Sequence, residues 1–177
     1  REFNGNVRDW SVNRVTTMEG MFQNANQFQG LTDTSYQYQA PGSDTVTVGS
    51  ANTDIGIWYT PSLENTKNMF NFASSFNSKL QDWSVNRVTD MTNMFQRAVT
   101  FNNGKDAGVD TDNVLAWTTS SLNTLNHTFN AARSFNADIS GWNVSRVNNM
   151  EGTFDSAIRF DRELSRWHQP PSSSTVS

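Results

Sequence analysis

Apolar residues return along this chain in fixed columns, once in every coil of about 25 residues. Six tryptophans, Trp10, Trp58, Trp83, Trp117, Trp142 and Trp167, set the register. Three residues before each stands Val7, Ile55, Leu80, Val114, Ile139 or Leu164, and five after the first five stands Val15, Leu63, Val88, Leu122 or Val147. Further on come Met21, Met69, Met94, Thr128 or Thr153, each followed by Phe22, Phe70, Phe95, Phe129 or Phe154, and three later by Ala25, Ala73, Ala98, Ala132 or Ala157. A second phenylalanine opens each coil, at Phe3, Phe28, Phe76, Phe101, Phe135 and Phe160. No single coil can bury its own Trp and Phe, so stacked neighbours must do it.

The pattern inside a coil predicts its elements. Trp83-Ser84-Val85 alternates with period two, as do Trp10-Ser11-Val12 and Trp142-Asn143-Val144, which predicts one short parallel strand with Trp and Val facing inward. Val88, Met91, Met94, Phe95 and Ala98 then recur every three or four residues, the spacing of a short helical turn. Thr16-x-x-Glu19 and Asn148-x-x-Glu151 fit capping boxes at its start. The expected fold is an α/β repeat solenoid over residues 1–167, followed by a Pro/Ser-rich tail or linker at 168–177. Coils two and four depart from the pattern, with Thr60 and Thr119 in place of Val and Thr66 or Leu125 in place of Met.

The polar residue after each opening Phe forms its own column: Asn4, Asn77, Asn102 and Asn136, with Gln29 and Asp161. An asparagine ladder that satisfies backbone groups at the bend outweighs a ligand role, because buried turns need such partners. The methionine column belongs to the core, where Met fills irregular gaps.

Taken whole, F-N-x-x-L-x-x-W-x-V-x-x-V-T-x-M-x-x-M-F-x-x-A, as it stands from Phe76 to Ala98 and nearly so from Phe3 to Ala25 and Phe135 to Ala157, resembles the BspA-type leucine-rich-repeat surface proteins. The resemblance implies a right-handed leucine-rich-repeat-like solenoid, an extracellular or cell-surface setting, and roles in adhesion or in building surface layers. It supplies no catalytic residues.

Composition narrows the function classes. Charged residues make up 17% and the net charge is −4, which argues against a nucleic-acid binder. With no cysteine there is neither a disulfide framework nor thiolate chemistry. No run of the sequence suits a membrane span, and no signal peptide is present; Arg1 enters in mid-coil, as if inside a longer precursor. Asn126-His127-Thr128 and Asn143-Val144-Ser145 are glycosylation sequons of a kind that an Asn- and Ser-rich repeat generates readily. Arg14, Arg87 and Arg146 form a column that Ser62 and Ser121 interrupt, which fits a solvated edge better than a phosphate track.

Two insertions, about 31–54 and 103–113, enter at the same point, just before the predicted strand of coils two and four. In the first, Tyr36-Gln37-Tyr38-Gln39 and Thr45-Val46-Thr47-Val48 alternate around Ala40-Pro41-Gly42-Ser43-Asp44, which predicts a β-hairpin. Tyr36, Tyr38 and Tyr59 gather in or beside it and offer flat apolar faces with polar tips, suited to sugars and peptides. The bland alternative is a hairpin that merely packs its Tyr face over coil two. The second insertion holds Asp106, Asp110 and Asp112, a spacing that calcium could use although the full Ca-loop motif is absent. A solvated turn is the simpler account, and no other cofactor is implied.

Catalysis is not expected. His127 falls in a column with Gly20, Asn68, Asn93 and Gly152, predicted to be an exposed helix position, and His168 lies in the tail. A glycosidase-like pair of Asp82 with Asp106 or Asp112 stands as a distant third function. Two binding classes remain ahead of it. In one, Asp82, Ser84 and Asn86, flanked by Tyr59 and the insertions, form a recognition groove for a glycan or peptide. In the other, coil ends stack end to end on further copies in a surface layer or fibre, and the partner is protein. An ice-binding surface is disfavoured, because Ser11, Tyr59, Ser84, Thr118 and Asn143 do not make a regular Thr lattice.

Overall fold

The computed structural model describes residues 3, 7–30, 37–39, 46–48, 55–108 and 112–167. Asn4, Tyr36, Asp110, His168 and the 168–177 tail lie outside the described residues. Each coil is a chain of tight turns, and the coils stack in register as repeated, solenoid-like units.

The stretch expected to be helical is built from alternating hydrogen bonds. In coil two the N–H groups of Met69, Asn71, Ala73 and Phe76 close local turns on the carbonyls of Thr66, Asn68, Phe70 and Ala73. The intervening N–H groups of Thr66, Asn68, Phe70 and Phe72 point along the stack and donate to Asp90, Thr92, Met94 and Gln96 of coil three, at 2.8 to 3.1 Å. The same eight-bond pattern recurs from coil one to coil two, coil three to coil four, and coil four to coil five. A helix would direct every donor down its own axis; here every second donor is given to a neighbour instead.

That alternation requires left-handed backbone twice per coil. Gly20, Asn68, Asn93, His127 and Gly152 hold the first position, with φ between +52° and +63°. Asn24, Phe72, Arg97, Ala131 and Ser156 hold the second, at +54° to +61°. The first column therefore carries Gly and Asn because it is a turn position of positive φ, not an exposed helix position. His127 is half-buried there, its ring over Gly152.

The predicted strand is also corrected. Trp-Ser-Val lies between two local turns, Trp83 N–H to Leu80 and Val88 N–H to Val85 in coil three, and has no parallel ladder beside it. Among the described residues parallel pairing is confined to single bridges that run through Thr17, Asn65, Asp90, Thr124 and Asn149, with another joining Val114 to Asp138. The bridge residues also replace the expected capping boxes. The side chains of Thr17, Asn65, Asp90, Thr124 and Asn149 each accept the N–H two residues on, a local turn rather than a helix cap. Among the described residues there is no helix, and the two strands are β1 (Gln37–Gln39) and β2 (Val46–Val48), paired antiparallel within the first insertion with Tyr38 opposite Thr47.

Three aromatic files form the core. Phe22, Phe70, Phe95, Phe129 and Phe154 stack at 5.5 to 5.7 Å between ring centroids. Phe28, Phe76, Phe101, Phe135 and Phe160 stack beside them at 5.6 to 6.0 Å. The files interlock within each coil, where Phe70–Phe76, Phe95–Phe101 and Phe129–Phe135 lie near-parallel at 3.9 Å. The tryptophans stack alongside in two runs, Trp10–Trp58–Trp83 and Trp117–Trp142–Trp167, at 5.6 to 6.4 Å, and are pinned by their indole N–H groups: Trp58, Trp83, Trp117, Trp142 and Trp167 donate to the carbonyls of Val7, Ile55, Leu80, Leu115 and Ile139 in the preceding coil.

The outermost members are less covered. Trp10 is 50% exposed, against 2 to 3% for Trp58, Trp83, Trp117 and Trp142, and Phe154 and Trp167 are half-buried. In coil four the core column before Trp117 is filled by Leu115, fully buried, while Val114 is exposed; the second insertion shifts that register by one residue.

The threonine departures fit by hydrogen bonding. Buried Thr60 and Thr119 donate to the carbonyls of Ser84 and Asn143 in the next coil, and Thr66 donates to Asp90. Thr128 and Thr153, in the methionine column, donate to Met91 and Leu125 of the coil before. A hydroxyl thus takes an apolar position without an unsatisfied donor.

Candidate functional site

The asparagine column is structural in its bonding. Asn77 Oδ1 accepts the N–H groups of Asn102 and Gly104 at 2.8 and 3.0 Å, and its Nδ2 donates to Lys105. Asn102 Oδ1 accepts from Asn136 N–H, and Asn136 Oδ1 from Asp161 N–H. Asn103 and Asn113 of the second insertion are buried in the same network: Asn103 Oδ1 accepts Leu80 N–H and Asn113 Nδ2 donates to Asn102. In that loop Asp106 and Asp112 are exposed, and the Asp106 carbonyl accepts from Asn102. Among the described residues no group of three His, Asp or Glu side chains is placed to hold a metal ion.

Of the residues expected to form a recognition groove, Tyr59 is 68% exposed and Asp82 and Asn86 are exposed. Tyr59 and Ser84 share a column on adjacent coils, tied together because Thr60 Oγ1 both accepts from Ser84 N–H and donates to Ser84 O. Ser84 Oγ donates to Asn86 Oδ1, so that pair is occupied with itself. The recess on this face lies further along, between coils four and five, with a volume of about 400 Å³ around Trp117, Thr119, Asp138 and Asn143. Asp138 sits at its rim, and the Ser140 backbone N–H, then the Ser140 side chain, hold its carboxyl below the ordinary carboxylate range.

A larger groove, about 770 Å³, runs across five coils on the second left-handed column. Asn24, Phe72, Arg97, Ala131 and Ser156 line it, one from each coil, together with Val99, Asn130, Arg133 and Asp155. This column varies from coil to coil while the core columns hardly change. Positive φ costs a residue other than Gly about 1 kcal/mol or more, so Phe, Arg, Ala and Ser are held here against a local backbone preference that Gly20 and Gly152 meet in the other column. Strained positions that recur beside one concave surface mark it as a candidate site.

A chain of side-chain hydrogen bonds runs along the stack and reaches the groove at Asn130 and Asp155. Asn71 donates to Gln96, Gln96 to Asn130, and Asn130 to Asp155, one side chain per coil. In the groove the Arg97 guanidinium lies over the Phe72 ring, 4.8 Å from the centroid. Among the described residues neither Arg97 nor Arg133 has a carboxylate within salt-bridge distance; the ion pair found is Arg87 with Glu64, on a different surface. Nothing in the sequence periodicity singled out this groove, although the irregularity of the column was visible.

The sequence matches the family described as Mycoplasma protein of unknown function, DUF285, over residues 1–41, 46–116 and 104–175. No curated protein and no solved structure matches it.

Proposed function

We propose that this chain, which belongs to the DUF285 family, is a non-enzymatic repeat protein of the cell surface or extracellular space, acting in adhesion or surface assembly through the groove on its second left-handed column. The observation that carries this reading is the division between columns. Those that hold the stack repeat almost unchanged, while the groove column presents Asn, Phe, Arg, Ala and Ser in turn at strained backbone. A surface that changes under a constant scaffold is where a partner is read.

The kinship with BspA-type leucine-rich-repeat surface proteins, including right-handed winding, is part of the same proposal and is supported by the repeat consensus. No helix among the described residues is long and apolar enough to cross a membrane. Calcium at Asp106, Asp110 and Asp112, of which Asp110 lies outside the described residues, and end-to-end stacking remain secondary proposals.

The test compares binding of labelled protein to intact cells and to extracellular matrix for three chains: wild type, a groove variant (Phe72→Ser with Val99→Glu), and a chain with residues 32–54 replaced by a short connector. Loss of binding in the groove variant alone is expected. Full binding by the groove variant refutes the assignment, and loss on removing residues 32–54 instead places recognition on the hairpin edge. Light scattering over a range of concentrations, with and without calcium, checks for polymer formation.

A further inference from the structure

We infer that the groove takes a linear anionic glycan laid along the stack, with Arg97 and Arg133 holding its carboxylate or sulfate groups; the inference rests on the groove being the contact surface.

Three observations lead there. The first is charge. The chain carries a net −4, yet two guanidiniums on adjacent coils face the same groove with no carboxylate in salt-bridge range among the described residues. Asp155, the acidic group at the groove, is already hydrogen-bonded through both oxygens, by Asn130 to Oδ2 and Ser156 to Oδ1. Arginine offers a planar fork that fits carboxylate and sulfate oxygens in pairs, and its stacking on Phe72 orients that fork before any ligand arrives.

The second is the state of the backbone. The N–H groups of Asn24, Phe72, Arg97 and Ala131 all donate to the next coil, and the carbonyls that receive them are those of Asn71, Gln96, Asn130 and Asp155. A peptide binding by strand addition would need a free row of such groups. On this column those N–H groups are taken up by the stack, which leaves the side chains of Asn24, Phe72, Arg97 and Ala131 to meet a ligand. Amide, hydroxyl and guanidinium groups at coil-spaced intervals are the partners that sugar hydroxyls and acid groups use.

The third is shape. The groove crosses five coils, and among its lining Phe72, 40% exposed with Arg97 over its ring, and Val99, 36% exposed, supply apolar surface. A sugar ring can lie against such surface.

The experiment is titration calorimetry of the full chain with four probes of similar length: oligogalacturonate, sulfated dextran, neutral dextran and poly-glutamate. Oligogalacturonate, sulfated dextran or both should bind, and which of them does distinguishes carboxylate from sulfate recognition. Arg97→Ala should weaken binding about tenfold, or 1.4 kcal/mol, and Arg133→Ala similarly. Arg87→Ala, in the ion pair outside the groove, should leave it unchanged. Rising salt should weaken binding in wild type and less so in the double arginine variant.

Arg97→Lys separates folding from recognition: it keeps the charge and should keep the near-ultraviolet tryptophan spectrum, yet it loses the paired geometry and most of the affinity. Equal binding by the arginine variants, equal binding of neutral dextran, or tighter binding of poly-glutamate overturns the inference. Absence of binding to all four probes also overturns it. If the Phe72→Ser/Val99→Glu variant still fails to bind cells in that case, the groove stands as a contact surface with a different occupant.

Discussion

Gly20 and Gly152 occupy the same place in coils one and five, with φ of +63° and +59°, but their surroundings differ. A Cβ built on Gly20 meets only Gln23 Oε1, at 3.4 Å, an ordinary contact. On Gly152 it meets Cδ2 and Nε2 of His127, both at 2.7 Å. Alanine at either site carries the left-handed penalty, about 1–2 kcal/mol, partly offset by a stiffer unfolded chain, about 0.4–1 kcal/mol. Gly20→Ala should therefore destabilise by about 1 kcal/mol. Gly152→Ala must also push the His127 ring aside and strain its contact with Asn126 Oδ1, 3.1 Å from Nδ1, which adds about 1 kcal/mol.

The double change His127→Ala with Gly152→Ala isolates that second part, since the Gly152 substitution should then cost no more than Gly20→Ala. Gly20→Asn should be close to neutral, because Asn68 and Asn93 hold this position in coils two and three. Urea unfolding followed by tryptophan fluorescence measures each difference from the midpoint at constant slope. Equal losses for Gly20→Ala and Gly152→Ala, or an undiminished loss in the His127→Ala background, would refute the assignment of this column and the placement of the His127 ring.

Phe95→Ala removes a fully buried ring stacked on Phe70, Phe101 and Phe129 and should cost about 3–5 kcal/mol, with Phe154→Ala, half-buried at the last rung, costing clearly less by the same unfolding assay. Asn77→Ala leaves the N–H groups of Asn102 and Gly104 without their acceptor and should cost about 2–3 kcal/mol, whereas exposed Asn86→Ala should fall within about 0.5 kcal/mol of wild type. Because the folded pKa of Asp138 is lowered, its carboxylate contributes stability above the unfolded value of 3.8 and loses it as pH falls through the folded value; the melting-temperature gap between wild type and Asp138→Asn should close below about pH 3.8 and stay constant from pH 5 to 7.

The repeat, its register and the residues that stack were legible because aromatic burial is periodic in sequence as well as in space. The local conformation was not, for a physical reason. Turns closed between residues three apart place Val88, Met91, Met94, Phe95 and Ala98 inward with nearly the spacing of a helix face. Periodicity alone cannot separate the two. The distinguishing mark was the column Gly20, Asn68, Asn93, His127 and Gly152, since Gly and Asn are poor helix formers and good left-handed residues. Trp-Ser-Val misled in the same way: alternation fixes which side chains face inward, not whether the backbone pairs. The groove was hidden because Asn24, Phe72, Arg97, Ala131 and Ser156 share a conformation that none of them favours apart from Asn.

The placement of the insertions follows from where the coils are bonded. Donors that reach along the stack through the double-turn segment, such as Thr66, Asn68, Phe70 and Phe72, fix each coil against the next at every second residue, so an added residue there would break the alternation and rotate the following rings out of their file. The connector from the opening Phe to Trp is held chiefly by side-chain amides, as at Asn77 and Asn102, and by the indole bond at its far end. Those can be remade after an excursion, as coil four does by seating Leu115 where other coils seat the residue three before Trp. New material can therefore enter at the connector by length, while the groove lies beside the double turns, where the coil can change only by substitution. The sequence of coils one to five obeys both limits, with insertions at 31–54 and 103–113 and single-residue variety at Asn24, Phe72, Arg97, Ala131 and Ser156. A ligand laid along this surface would meet a different side chain at each coil, which suits an extended ligand better than a compact one.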